Sequence, residues 1–224
     1  DRSSAASDVY KRQVNYSYIF HYVTALGMVT LLLFVDFNTI SPGANDNLTG
    51  TYAAVCALRM LDMAGIDFEN TEVCAMITDG EEAGLRGCKQ WAKDHYDEYV
   101  NSGVETAVLC VDTLADLEYL RVYNKDMTGT VKNSQQFSQL VMDSAKDSGH
   151  NDLEFSSVYF GSSDAAAFSQ AGITATCLAA MDPKPADYYH NRRDTAERLV
   201  PEAIKTGFDV IISTILNFDE KGLN

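Results

Sequence analysis

Glu72–Leu85 reads EVCAMITDGEEAGL. Its first half, Glu72 to Thr78, is an apolar run of strand length, and its second half turns at once into acids and glycines. In open α/β sheets ligands gather beyond the carboxyl ends of the strands, so an apolar strand that empties into an acidic, glycine-bearing loop is a candidate site as well as a candidate fold element. The pattern recurs at Thr106–Val111, which runs into Asp112. Acids placed at two such strand ends point into a shared crevice.

Working outward, further apolar strand-like runs lie at Phe155–Phe160 and Thr174–Leu178. Between them, helical periodicity appears at Ala53, Ala57, Met60, Leu61 and Ala64, again at Phe137, Leu140, Val141 and Ala145, and last at Ile204, Phe208, Ile211, Ile215 and Leu216. Pro201 suits the first turn of that last helix. Strands alternating with helices at short spacing predict an α/β fold, a mostly parallel (mixed) sheet sandwiched by helices.

The 224 residues carry 17 Lys+Arg against 32 Asp+Glu, a formal charge of −15. A chain of this size buries roughly 70% of the surface its unfolded form exposes and needs no disulfide or metal merely to fold. The acidic balance repels phosphate backbones and no basic cluster offsets it, so nucleic acid is excluded as a partner. The five cysteines, Cys56, Cys74, Cys88, Cys110 and Cys177, show no C-x-x-C pair. Three of them sit in apolar runs as small buried hydrophobes, and a reducing compartment is expected.

The N-terminal stretch divides the chain into three expected parts. Residues 1–13 are polar and aperiodic and read as a leader outside the fold, non-native or disordered. Residues 14–35 hold no Asp, Glu, Lys or Arg, a length that a bilayer-spanning helix requires. Lys11 and Arg12 before this stretch, with Tyr16, Tyr18, Phe20 and Tyr22 near one end, favour membrane association through it, and hence a membrane-associated protein rather than a cytoplasmic one. The competing reading makes Met28–Phe37 (MVTLLLFVDF) a buried first strand, since strands covered on both faces read as continuous apolar runs. Asn15, Ser17, His21, Thr24 and Thr30 weaken the membrane reading. Residues 36–224 are the expected catalytic domain.

The chemistry resides in three segments. Adjacent side chains of an extended loop diverge, so Glu81 and Glu82 can serve different roles, one holding a metal and the other addressing water, while Gly80, Gly84 and Gly87 let the backbone turn around them. Ser41–Asn47 (SPGANDN) places Asp46 in a Gly/Asn turn before a helix, and Tyr188–Thr195 (YYHNRRDT) supplies His190 in a polar loop. Singly, these are an acidic surface loop, a helix N-cap and a surface histidine. Together Asp46, Glu81, Glu82, Asp112 and His190 form a set of oxygen and imidazole donors without thiolate, which suits zinc. His21, His95 and His150 lack such company and read as structural or surface residues.

The segments SPGANDNLTGTYAA, TDGEEAGLRGCKQWA, CVDTL, FGSSDAAAFSQAGI and YYHNRRDT, in this order and spacing, resemble the zinc-dependent aminopeptidase family, which includes bacterial leucine aminopeptidases and has glutamate carboxypeptidase and glutaminyl cyclase as relatives. The resemblance runs from Ser41 to Asp219. It implies two zinc ions, with Asp46 bridging them, Glu82 and His190 on one, Asp112 on the other, and Glu81 as general base. It implies a peptide substrate cleaved next to its free N-terminus. Tyr188, Tyr189, Met181 and the loop Asp182–Asp187 would then shape the substrate pocket.

One motif departs from the resemblance. The family carries His-x-Asp on the strand before the GANDN-like turn, and its histidine binds the metal that Asp112 would hold. In register, this chain has Asp36-Phe37-Asn38. Either Asp36 and Asn38 replace that pair, or the motif lies upstream of a hydrophobic insertion and the domain is truncated at its N-terminus; the membrane-length run favours the latter. A single-metal acyltransferase of the glutaminyl cyclase type and a non-catalytic relative with an incomplete site are the alternatives. The sequence leaves the oligomeric state open.

Overall fold

A computed structural model describes residues 2–34, 40–184 and 186–223. It comprises two compact units, Asp1–Ile40 and Ser41–Asn224.

The described part of the first unit is one helix, α1 (Arg2–Phe34). This corrects two expectations. Residues 2–13 are helical, and Met28–Phe34 is helix, although its composition suits a strand. A strand needs a neighbour to satisfy its amides and carbonyls, whereas a helix satisfies them within itself. Thr24 and Thr30 turn their hydroxyls back onto the carbonyls of Phe20 and Leu26 (2.8 Å each), and His21 Nδ1 lies 2.6 Å from the Ser17 carbonyl oxygen. These polar side chains dilute the apolar run, and no described helix is long and apolar enough to cross a membrane. Val35, Asp36, Phe37 and Asn38 lie outside the described residues, as does the proposed replacement of a ligand pair by Asp36 and Asn38.

The second unit is a sheet sandwiched by helices. Its strands are β1 (Val108–Asp112), β2 (Leu120–Asp126), β3 (Val131–Lys132), β4 (Phe155–Ser157) and β5 (Ala175–Ala180), and its longer helices are α2 (Gly50–Met63), α3 (Arg86–Asp94), α5 (Gln135–Asp147), α6 (Asp164–Gln170) and α7 (Pro201–Lys221), with the single turn α4 (Tyr96–Tyr99) after α3. The strand order is β1-β5-β2-β3, and β4 also pairs with β2. β1 with β5 and β2 with β4 are parallel, β2 with β5 and β2 with β3 antiparallel, so the sheet is mixed.

Side chains alternate across the sheet with period two and so feed two cores. Leu178 and Ala180 of β5 and Leu120 and Val122 of β2 pack with α2, α5 and α7 through Ala57, Val141 and Val210. Ala175, Cys177 and Ala179 of β5 pack on the other face with α3 and α6 through Cys88, Ala92 and Phe168. β5 is buried along its whole length, as a strand covered on both faces and paired on both edges should be. The three helices expected from periodicity are α2, α5 and α7, and Pro201 opens α7.

Glu72–Thr78 is the strand expectation that fails. Val73 and Met76 pack against the two cores, yet the segment joins no ladder. Among the described residues β1 pairs with β5 alone. At its outer edge the Asn47 side chain stands in for a neighbouring strand: Nδ2 donates to the Val111 carbonyl (2.9 Å) and Oδ1 accepts from the Thr113 amide (3.2 Å). Gly50 is needed beside it, because a Cβ there would run into the Val111 carbonyl. The turn Ala44–Thr49 is thereby fastened to the end of β1.

Of the five cysteines, Cys88 and Cys177 are buried, Cys110 is half-buried, and Cys56 and Cys74 are exposed. All five are free thiols.

Candidate metal centre

Three chain segments far apart in sequence converge at the end of β1. His190 Nε2 lies 2.9 Å from Glu82 Oε1 and 3.2 Å from Asp46 Oδ2. Ligand atoms of Asp46, Glu82 and His190 all lie within 4.8 Å of one another. Glu81 and Asp112 line the same cavity as Asp46 and Glu82. Asp112 is outside the close trio, and its Oδ1 is buried with no hydrogen-bond partner.

Each member is positioned by its own local structure. Asp46 sits in the turn Ala44–Thr49, entered through Gly43 in the left-handed region (φ 67°), and its backbone is held from below by Asp194. Asp194 is 1% exposed, and its two carboxylate oxygens accept the Asn45 amide (2.8 Å) and the Asp46 amide (3.0 Å). The Asn45 side chain accepts from the Ala115 amide (3.0 Å) and donates to the Tyr188 hydroxyl (3.1 Å). Thr49 donates to the Asn45 carbonyl (2.8 Å) and accepts from the Leu114 amide (3.0 Å). These bonds join the turn to the chain after β1 and to the loop that carries His190.

Glu81 and Glu82 are presented by a tight reversal. The Gly84 and Leu85 amides return to the Glu81 carbonyl (2.9 and 2.8 Å), the Arg86 amide to Gly80 (3.0 Å) and the Gly87 amide to Asp79 (3.1 Å). At Gly87 a Cβ would collide with the Asp79 carbonyl, so the reversal depends on that glycine. Leu85, 3% exposed, anchors the loop in the second core. Before the loop, the Thr78 hydroxyl donates to Asp164 Oδ2 (3.0 Å). His190 stacks on Tyr189 with ring centroids 3.7 Å apart.

The electrostatics are those of acids crowded together. Burial, then Glu82, raises Asp46 above the usual carboxylate range, and His190 opposes the rise. Burial, then Glu82 and Asp164, pushes Glu81 up to about 7. Burial, then Asp46 and Glu81, holds Asp112 well above the ordinary aspartate value. Carboxylates are brought together in this way at a cost that a cation removes.

The structure brings together three of the four expected ligands and places the fourth, with the expected base, on the shared wall. Met181, Asp182, Pro183, Ala186, Tyr188 and Tyr189 line the cavity, in keeping with the pocket expected from the sequence; Pro185 lies outside the described residues. Sequence reasoning missed the supporting residues Asn45, Thr49 and Asp194; Asn47, in the turn read as a helix N-cap, does accept from the Gly50 amide (3.0 Å). The available signal was the pair of asparagines flanking Asp46 and the aspartate four residues after His190. Of the other histidines, His95 stacks on Trp91 (4.7 Å) and His150 faces Asp209 (3.3 Å), both outside the site.

The profile of Peptidase family M28 matches residues 29–215. Aminopeptidase YwaD of Bacillus subtilis (strain 168) is 28% identical over 198 residues, covering 80% of this chain and 38% of that protein. Among solved structures, BSAP, a zinc aminopeptidase from Bacillus subtilis, superimposes with a TM-score of 0.62 at 23% identity, over 78% of this chain and 42% of that one. LapB from Legionella pneumophila does so with a TM-score of 0.67 at 16% identity, over 85% of this chain and 50% of that one. The chain thus spans two fifths to one half of the length of these relatives.

Proposed function

This chain belongs to peptidase family M28, and on that premise we propose that it forms the catalytic part of a zinc aminopeptidase, which removes the N-terminal residue of a peptide. The observation that carries the reading is the convergence of Asp46, Glu82 and His190, from three separated segments, to within 4.8 Å. Two carboxylates and an imidazole are donors that zinc accepts, and the unpartnered, buried Oδ1 of Asp112 beside them is a fourth donor with no other bond. In this reading Asp46 with Glu82 and His190 would hold one zinc ion, and Asp46 with Asp112 a second; when bound, the ions would supply a water of lowered pKa and polarise the carbonyl of the bond to be cut.

The chain's own groups do the rest. Glu81 lines the cavity next to Glu82 and takes the proton from the attacking water, then passes it to the departing amine. Asp194 keeps Asp46 in place through two backbone amides, so the bridging carboxylate is oriented before any ligand arrives. Tyr189 fixes the plane of the His190 ring by stacking. The cavity beside Met181 and Tyr188 receives the residue that is released.

Glu81→Gln is the direct test. The variant is expected to bind zinc as the parent does, by metal analysis after dialysis, and to lose turnover of aminoacyl anilides by at least about 100-fold, the lower end of a general base's contribution. Zinc-loaded Glu81→Gln protein with unchanged turnover would overturn the reading.

A further inference from the structure

Away from the metal centre, α3 and α6 flank an open groove of about 420 Å³, a volume within the range of small-molecule sites. None of its lining residues lines the cavity beside the metal ligands. Its floor is small and apolar, formed by Ala92 of α3 and Ala167 of α6, 1% and 2% exposed. Lys89 and Lys93 stand on the α3 wall, and Tyr96 and Gln170 border it. Residues four apart share one face of a helix, so the two ammonium groups are neighbours, and like charges so placed destabilise the helix until something between them neutralises the pair. Lys146, Lys205 and Lys221 each face an aspartate, whereas Lys89 and Lys93 form no ion pair among the described residues, and no acid lines the groove. The Lys89 ammonium donates one bond to the Gly84 carbonyl (3.0 Å), which holds its head in place and leaves two N–H groups for a ligand. Gln170 directs one amide hydrogen to Met127 Sδ (3.3 Å), an acceptor weak enough to be exchanged for a better one.

We infer that this groove binds a phosphate group, carried by a small ester or free as the ion. A dianion matches two ammonium groups in charge, and lysine holds phosphate as a point charge without needing the planar fork of arginine. The Gln170 amide and the Tyr96 hydroxyl supply neutral donors beside it, and the alanine floor receives the apolar body of an ester. The formal charge of −15 disfavours an extended phosphate backbone. A single phosphate answers chiefly to the charges within a screening length, and in the groove those are Lys89 and Lys93.

The test is calorimetric titration of the metal-free protein at low ionic strength with inorganic phosphate and with phenyl phosphate. Without metal the acids around Asp46 and Glu82 repel both probes, so binding reports on the groove and its outcome is independent of the hydrolytic reading. One saturable site is expected, weakened by added sodium chloride. Lys89→Gln and Lys93→Gln should each weaken it roughly tenfold, the worth of one hydrogen bond to a charged group. Lys93 is not the lysine that bonds Gly84, so its variant separates a lost ligand contact from a disturbed loop. Arg59→Gln removes an exposed charge from α2 outside the groove and should leave the affinity unchanged. Tighter binding of phenyl phosphate names an ester as the source of the phosphate, equal binding names the free ion, and either supports the site. Absence of saturable binding, affinity that survives both lysine substitutions, or an equal loss in Arg59→Gln overturns the proposal.

Discussion

The two halves of the candidate centre are built differently. Asp46, Glu82 and His190 come from three loops and meet within 4.8 Å, held by side chains that bond backbone amides across the site. Asp112 comes from the end of a strand, carries a buried oxygen with no partner, and lies outside that trio. The loops bring their own supports with them. The strand end depends on what lies along the outer edge of β1, where the Asn47 amide is the contact that bonds the end of the strand. The loop-built half is organised by side chains that reach across the site, and the strand-built half by its ladder with β5 on one edge and the Asn47 side chain on the other.

The sharpest way to break this contrast is to remove the residue on which the trio closes. His190→Ala deletes the imidazole that faces both Asp46 and Glu82. It should weaken zinc binding by more than the roughly 10–100-fold that changes to residues supporting the ligands cost, and abolish turnover with it. The ring is 44% exposed, so the thermal midpoint of the metal-free protein should move little. Zinc titration against a competing chelator measures the first effect. Undiminished affinity would mean that the trio is a hydrogen-bonded acid cluster rather than a metal site.

How much of this was legible in the sequence follows the same division. Glu81, Glu82, Asp46 and His190 could be found because each stands in a short local pattern of acids, glycines or aromatics. Their supports could not, since Asn45 bonds an amide 70 residues away and Asp194 reads locally as a polar loop residue before a helix. β2 escaped notice because Arg121 and Lys125 interrupt its apolar alternation, although Leu120, Val122 and Tyr123 are buried to 2% or less. Glu72–Thr78 and Met28–Phe34 failed in the opposite sense. Their composition suits a strand, but a strand is a relation between two segments, and composition reports only one of them.

The next prediction addresses the support beneath the trio. Asp194→Ala leaves the amides of Asn45 and Asp46 without their acceptors in a site that is almost closed to solvent. The expected cost is about 2–4 kcal/mol in stability, read by urea denaturation of the metal-free protein, because one buried and one partly buried donor lose their carboxylate acceptor. Zinc affinity should fall by roughly 10–100-fold, since the Asp46 carboxylate is no longer oriented. Asp194→Asn keeps one acceptor oxygen and should fall between the parent and the alanine variant. Equal losses for both substitutions would show that charge, and not the placement of Asp46, is what Asp194 provides.

Asn47→Ala probes the other half and should have the smallest effect of the three. It removes bonds to the Val111 carbonyl, the Thr113 amide and the Gly50 amide, all partly accessible to water, so the stability loss is set nearer about 1–2 kcal/mol. The informative quantity is which metal is lost. The trio does not touch Asn47 through any of these bonds, whereas Asp112 sits between the two residues of the strand end that Asn47 holds. If the centre holds two ions as proposed, Asn47→Ala should therefore reduce zinc binding from two equivalents toward one, with the retained ion at parental affinity, and lower turnover without eliminating zinc uptake. Loss of both ions together would mean that the site is a single cooperative unit, and that the asymmetry between its loop-built and strand-built halves has no consequence for metal binding.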